Sequence, residues 1–400
     1  MNVETQMESL PCPKCGHPMP VDPSFPVWCD ACNHNVLPEP EAKSKNRMGL
    51  MDRVALKLGE KRSKQIFDHY CTLRDLKPHL HFSKLLGMGM ALLLVLFPVA
   101  LVVGGLLLLI TWNVGFMFVA ALLFMLAYKT IPQPAPMPLM LLDPQSTPTL
   151  HRICQQVAAQ LGARLEGVAL DWHHNASMGR YTHRRTPVMT LGLPLMANLS
   201  PEEKLAIIAH EMAHQANGDF SRSFMFQWAC NILGILMYPL PAAWMEAPLW
   251  GYYRVMASCL YEDSQRAEYF ADDAAASIAG TQSTISVLRK MHLGTVYYRF
   301  LEHTIRNRNR WDVFLAFKEH VSHIPAREGE RLRRAEMMEG YRLQSTHPPT
   351  AYRIQRLQAF DKPAAALFTP EELQQMEKEL LECHSGVQEA MMSLYRDVVY

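Results

Sequence analysis

Residues 199–219 read LSPEEKLAIIAHEMAHQANGD, and the reading of this stretch decides the fold of the chain. Ser200, Pro201 and Glu203 are three agreeing helix-start signals. Serine supplies an N-cap hydroxyl, proline needs no N–H partner at the first position, and the glutamate can close a capping box. The spacing predicts a helix that runs through His214 and stops near Gly218. Ala206, Ile207, Ile208, Ala209 and Ala213 make it apolar, so it is expected to be largely buried. His210 and His214 stand four residues apart and share one helix face. Two imidazoles and Glu211 buried in such a helix need partners. A zinc ion meets that need, because it accepts nitrogen ligands and keeps one position open at catalytic sites. Glu211 projects about 100° round the helix from His210, beside the open position. There it can take a proton from a metal-activated water.

A third ligand is required, and RAEYFADD at 266–273 supplies it. Glu268 and Asp272 are again four apart. Glu268 is expected to bind the metal and Asp272 to accept a proton from a ligand histidine. The neighbours Tyr269, Phe270, Ala271, Ala274, Ala275 and Ala276 predict burial here too.

Outward from these motifs, the chain divides into a zinc ribbon at 1–40, a basic linker at 41–84, a transmembrane hairpin at 85–130, a catalytic domain at 131–360 and a helical tail at 361–400. Residues 1–20 hold no apolar core of a signal peptide. Cys12, Cys15, Cys29 and Cys32 form two CxxC pairs, the pattern of a structural Cys₄ zinc site. The other five cysteines show no disulfide framework, which fits a reducing compartment. From Leu85 to Tyr128 no residue is charged. A spanning helix takes about 20 apolar residues, so the stretch is two spans long, with Thr111-Trp112-Asn113 as the turn. Lys57, Lys61, Arg62, Lys64, Arg74, Lys77 and Lys84 precede it and Lys129 follows. Basic flanks stay on the cytoplasmic side, which places both the ribbon and the catalytic domain there.

Pro132 to Pro138 is a proline-rich connection. Pro148–Leu161 reads as a helix, Val168–Trp172 and Val188–Leu193 as short strands, and Thr369-Pro370-Glu371-Glu372 as a second capped helix start. A further apolar region covers Ser223–Met245 and Ala247–Tyr261, with Arg254 inside it. His214 and Glu268 must meet at one ion, so the chain between them crosses a membrane an even number of times. Arg254, Pro239 and Pro241 argue for zero full spans, and hence for a hairpin that lies at the membrane surface or roofs the site.

The order of these motifs resembles the HtpX-like and CAAX-prenyl-protease-like membrane zinc metallopeptidases, a gluzincin group. The matching pieces are Asn175-Ala176, the strand at Val188–Leu193, residues 199–219, AEYFADD at 267–273 and STHPPTAYRIQRL at 345–357. The resemblance covers roughly residues 135–360 and implies an α+β, mainly helical zincin-type domain. It implies that His210, His214 and Glu268 hold zinc, that Glu211 is the general base and that Asp272 orients a ligand. His347 is implied near the oxyanion, with Arg353 supporting that region, and Asn175-Ala176 on an edge strand that pairs with substrate. The family often carries Arg three residues before the ligand Glu; this chain has Gln265 there and Arg266 one later, which leaves the local ion pairing open.

The expected function is zinc-dependent endoproteolysis of unfolded or membrane-associated proteins, with one catalytic and one structural zinc. The expected partners are a protein or peptide substrate and the lipid bilayer; the sequence is silent on oligomeric state. The alternative is a membrane-tethered adaptor whose zinc sites are purely structural. A nucleic-acid partner is not expected: 39 Lys and Arg against 38 Asp and Glu leave a net charge of +1, and the ribbon stretch offers only Lys14 as a base.

Overall fold

The architecture comes from a computed structural model that describes residues 9–20, 26–36, 50–74, 76, 81–132, 138–181, 186–238, 243–306, 312–338 and 347–399. Most of the proline-rich connection, Lys77, Pro239, Pro241 and Ser345-Thr346 lie outside the described residues.

The N-terminal module is two antiparallel ribbons, β1 (Ser9–Pro11) with β2 (Pro18–Pro20) and β3 (Val27–Trp28) with β4 (Asn35–Val36). Their turns are built alike. The N–H of Gly16 donates to the carbonyl of Cys12 and that of Asn33 to Cys29, both at 2.8 Å. The N–H of Cys12 donates to His17 and that of Cys29 to His34, both at 2.9 Å. Gly16 and Asn33 each adopt the left-handed backbone that such a knuckle needs, at φ 75° and 60°.

Helix α1 (Leu50–Tyr70) leads to α2 (Phe82–Ile110), which turns back into α3 (Val114–Thr130). The turn falls on the predicted triplet. Trp112 takes φ 52°, and the Asn113 side chain caps α3 by accepting from the N–H groups of Gly115 and Phe116. The two helices pack closely at Gly105, where a Cβ would come within 2.6 Å of the Phe124 ring. Among the described residues, α2 is the one helix that is long and apolar enough to cross a membrane. Its most apolar window is only 11% buried, so its surface faces outward rather than into a core. Helix α3 is as free of charge up to Tyr128 but has 17 residues, the lower end of spanning length.

The catalytic domain opens on β5 (Met140–Leu141) and α4 (Pro148–Leu161), the latter at its predicted bounds. Strands β6 (Gly167–Asp171), β7 (Ala176–Tyr181) and β8 (Thr186–Gly192) complete a four-stranded sheet ordered β5-β6-β8-β7. Only the β6–β8 pair is parallel. Strand β7 is therefore an edge, antiparallel to β8. The loop into β7 crosses β8 at Gly192, where a Cβ would fall 1.8 Å from the His173 carbonyl oxygen. Any larger residue would push the loop away from the sheet.

A short α5 (Leu193–Met196) feeds α6 (Pro201–Ala216), with the capping box formed as predicted between Ser200 and Glu203. Helix α7 (Asp219–Met237) and the long α8 (Ala243–Ala279) follow, then α9 (Thr281–Lys290), α10 (Leu293–Arg306), α11 (Val313–Ser322), α12 (Ala326–Met338) and α13 (Thr350–Ala359). The chain ends in α14 (Pro370–Glu382), with the second capping box, and α15 (His384–Val399). The main core joins Leu150, Ile153 and Val157 of α4, Met189 and Leu191 of β8, Ile208 and Met212 of α6 and Ala275 of α8. Met376 of α14 and Val387 of α15 enter the same cluster, so the 361–400 segment is part of the domain's core. The fold is thus α+β and mainly helical.

The second apolar region forms the facing parts of α7 and α8. Ala229 and Leu233 of α7 and Met256 of α8 pack on Ala91 of α2, and the Tyr252 hydroxyl donates to the Met90 carbonyl at 2.6 Å. The pair therefore runs beside the first half of α2, while its base walls the cavity next to Glu211.

Candidate metal centre and active site

Helix α6 brings His210 and His214 to one face, with their Nε2 atoms 3.2 Å apart. Helix α8 crosses them and presents Glu268, 98% buried. Its Oε1 lies 3.4 Å from His214 Nε2 and its Oε2 3.5 Å from His210 Nε2. Ligands at 2.0–2.1 Å from a tetrahedral zinc stand about 3.3 Å apart. The three side chains already hold that spacing. Burial alone would raise the Glu268 pKa, but His347, Arg353 and His214 outweigh it and hold the carboxyl well below the usual range. Oε2 is buried without a hydrogen bond of good geometry, although Arg353 Nη2 lies 3.1 Å away. An ionised, under-satisfied carboxylate oxygen facing two imidazole nitrogens is a cation's donor set.

The second nitrogen of each histidine is also fixed. Asp272 Oδ1 lies 3.2 Å from His210 Nδ1, and Asp219 Oδ2 lies 2.7 Å from His214 Nδ1. Each carboxylate orients its ring and leaves Nε2 for the metal. Arg353 grips Asp272 through two hydrogen bonds of 2.7 and 2.6 Å. Arg353 therefore backs the His210 side of the centre, and it lines the same cavity as His347. Burial would lower the His210 and His214 pKa values, but Asp272 and Glu268 for one and Glu268 and Glu211 for the other raise both overall.

Glu211 is half-buried and lines two cavities. One, of about 260 Å³, also contains Asn175, Ala176, His210, His214 and His347. The other, of about 280 Å³, contains Met178, Phe226, Leu260 and Tyr261. Strand β7 thus contributes to both, with Glu211 between them. His347 is exposed, with Nδ1 2.7 Å from Glu268 Oε1.

Sequence reasoning missed Asp219. It lies five residues past His214 in HEMAHQANGD, and the left-handed Gly218 (φ 75°) turns it back onto the ring. Where the resemblance left ion pairing open, Gln265 is buried with its Oε1 unpartnered. Arg266 donates instead to Ser83 Oγ at 2.9 Å.

In the ribbon, Cys12 Sγ lies 3.6 Å from Cys32 Sγ and Cys15 Sγ 3.6 Å from Cys29 Sγ. These are free thiols, at the spacing of a tetrahedral thiolate site, about 3.7 Å for a Zn–S bond of 2.3 Å. Among the described residues these four cysteines and the His210–His214–Glu268 set are the groups that could hold a metal ion.

The sequence profile of peptidase family M48 matches residues 144–361, a little over half of the chain and every residue of the His–Glu centre. The chain belongs to peptidase family M48. The match bears out the resemblance to HtpX-like metallopeptidases. Among curated M48-like relatives, Protease HtpX of Stenotrophomonas maltophilia is 25% identical over 134 residues, 28% of this chain and 46% of that protein. Protease HtpX of Pseudomonas putida is 25% identical over 130 residues, covering 28% and 44%. Protease HtpX homolog of Pyrobaculum calidifontis is 26% identical over 237 residues, covering 52% and 67%. The chain spans about half the length of most of these relatives. No solved structure matches.

Proposed function

We propose that this M48 chain is a membrane-anchored, zinc-dependent endopeptidase. The observation that carries the reading is the convergence of two carboxylate-oriented imidazoles and Glu268 beside an open groove. His210, His214 and Glu268 would hold the zinc. When bound, zinc supplies a Lewis acid and lowers the pKa of water. Glu211 accepts a proton from the water that attacks the scissile carbonyl and returns it to the leaving amine. His347, at the groove's edge, donates toward the oxyanion. The free edge of β7, from Asn175-Ala176 onward, pairs with the substrate backbone as an added strand. Cavities on both sides of Glu211 let a chain continue past the scissile bond in either direction, which supports internal cleavage.

The two-span hairpin is supported by contacts across it. Before the hairpin, the carbonyls of Tyr70 and Leu73 accept from Arg356 of α13 at 2.8 Å each. These contacts support a reading with both flanks on one side, and the basic flank favours the cytoplasm as that side. Unfolded or membrane-associated proteins are the substrates that such an address and a strand-pairing groove would select. The ribbon is a closed Cys₄ zinc module, with no open position for catalysis. The deciding experiment compares wild type with Glu211→Gln for metal content and for cleavage of a loosely folded protein. Retained metal with lost cleavage is expected; cleavage that persists in Glu211→Gln overturns the mechanism and leaves the adaptor reading.

A further inference from the structure

The two ligand histidines are held in place by different parts of the molecule. His210 is oriented by Asp272, and Asp272 by Arg353, all within the catalytic domain. His214 is oriented by Asp219, and the line of partners from Asp219 leaves the domain. Asp219 pairs with Arg222, one turn along α7. Arg222 Nε lies 2.9 Å from Asp263 Oδ2 on α8. Asp263 Oδ1 lies 3.8 Å from Lys84 Nζ, in the first turn of α2. The charges alternate without a gap from the base of the apolar hairpin to the ring of a metal ligand.

The line is buried where it matters. Lys84 is 9% exposed and Asp263 7%, and the Arg222 side chain 11%. A buried charge whose partner is removed seeks another. Arg222 is shared by two carboxylates, Asp219 and Asp263. Lys84 meets part of Asp263's demand and so leaves Arg222 available to Asp219. Without Lys84, Arg222 is drawn toward Asp263 and Asp219 loses the cation that fixes it against His214. Around Lys84 the base of α2 is pinned by further contacts. Arg266 donates to Ser83, and Gly87 lies so close to α8 that a Cβ would come within 3.0 Å of the Cys259 side chain.

We propose that Lys84, at the foot of the membrane hairpin, is a positioning residue for the metal centre, acting on His214 through Asp263, Arg222 and Asp219. The hairpin is then a working part of the site as well as an anchor. This rests on the reading of His210, His214 and Glu268 as metal ligands.

The test measures zinc affinity by chelator competition on the full chain in detergent, with thermal unfolding recorded for each variant. Asp219→Asn is expected to weaken zinc at this centre by about 10–100-fold, the usual effect of losing a ligand's orienting partner. Lys84→Met is expected to weaken it by about tenfold, the low end of that range. Lys84→Arg restores it, and Leu106→Ala, on the outward face of α2, leaves it unchanged. In the double variant, Lys84→Met adds nothing to Asp219→Asn, because its effect passes through that carboxylate. Unchanged zinc affinity in Lys84→Met, or effects that simply add in the double variant, would overturn the inference. A lowered unfolding temperature without a change in affinity would also overturn it, by assigning the line a purely structural role. Equal zinc content in wild type and His210→Ala would overturn the metal-centre reading itself, and the inference with it.

Discussion

The chain carries two sets of side chains that could hold a metal ion, and they are built on opposite plans. The ribbon's four sulfurs come from two near-identical knuckles, and their turn geometry is fixed by local backbone hydrogen bonds. The His–Glu centre draws its ligands from two long helices, and its geometry is fixed by carboxylates that are themselves held by arginines. The first plan is self-contained and coordinatively closed. The second offers three candidate ligands, with Glu211 beside them and open space on either side. What separates the two sets is how much of the surrounding protein is recruited to aim each side chain.

That contrast can be broken most directly at Glu211. Glu211→Gln should lower peptide cleavage by about 10²–10⁴-fold, the usual contribution of a general base, while both metals stay bound. Loss of metal in this variant would show that Glu211 ligates and would erase the distinction. Next comes Asp272→Asn, expected to weaken metal at the His–Glu centre by about 10–100-fold and to leave the ribbon's metal untouched. Equal losses at both sites would mean that the variant unfolds the chain rather than misaims His210.

A pH titration sharpens the contrast further. In the metal-free chain the facing carboxylates raise the His210 and His214 pKa values above that of a free imidazole. Their stabilising effect is complete below about pH 6.5 and is lost as pH rises through the raised folded values. Metal binding needs neutral imidazoles and runs the opposite way. The metal-free protein should therefore lose unfolding temperature as pH rises above about 6.5 while the loaded protein does not. Parallel curves for the two forms would contradict the assignment.

The smallest effect belongs to the ribbon's docking. Arg327 and Arg334 of α12 lie over the Trp28 ring at 5.2 and 4.7 Å, and Arg334 donates to Asn33 and Asn35. Trp28→Ala should weaken docking by about 0.5–1 kcal/mol for each cation–π contact, seen as faster release of the ribbon in limited proteolysis. Cleavage of a peptide bond should be unaffected; a large loss would make the ribbon part of the catalytic unit.

How much of this was legible depended on how local each signal is. His210, His214, Glu268 and Asp272 could be paired because the helical period fixes which residues share a face. Both capping boxes and the hairpin turn were legible for the same reason. Asp219 is five residues from His214 but lies beyond the helix end, where periodicity stops and the backbone at Gly218 sets the direction. Arg353 could be placed near the centre only by resemblance, and its grip on Asp272 joins residues 81 apart. The last helices read as a tail because nothing local says that Glu379 accepts from the N–H groups of Thr149 and Leu150 at the start of α4. The packing of α7 and α8 along α2 is equally non-local.

The contact between Arg334 and Asn35 spans 299 residues. On the ribosome the ribbon emerges well ahead of its platform on α12. At about 5–20 residues per second, that leaves the ribbon to fold alone for roughly 15 to 60 s. A self-contained knuckle pair can do that. The His–Glu centre cannot, because Arg353, which steadies Asp272, is translated only after α12. The order of synthesis therefore holds back assembly of the His–Glu centre until Arg353 is made, and a chain stopped before α13 has its ribbon but lacks the arginine that holds Asp272.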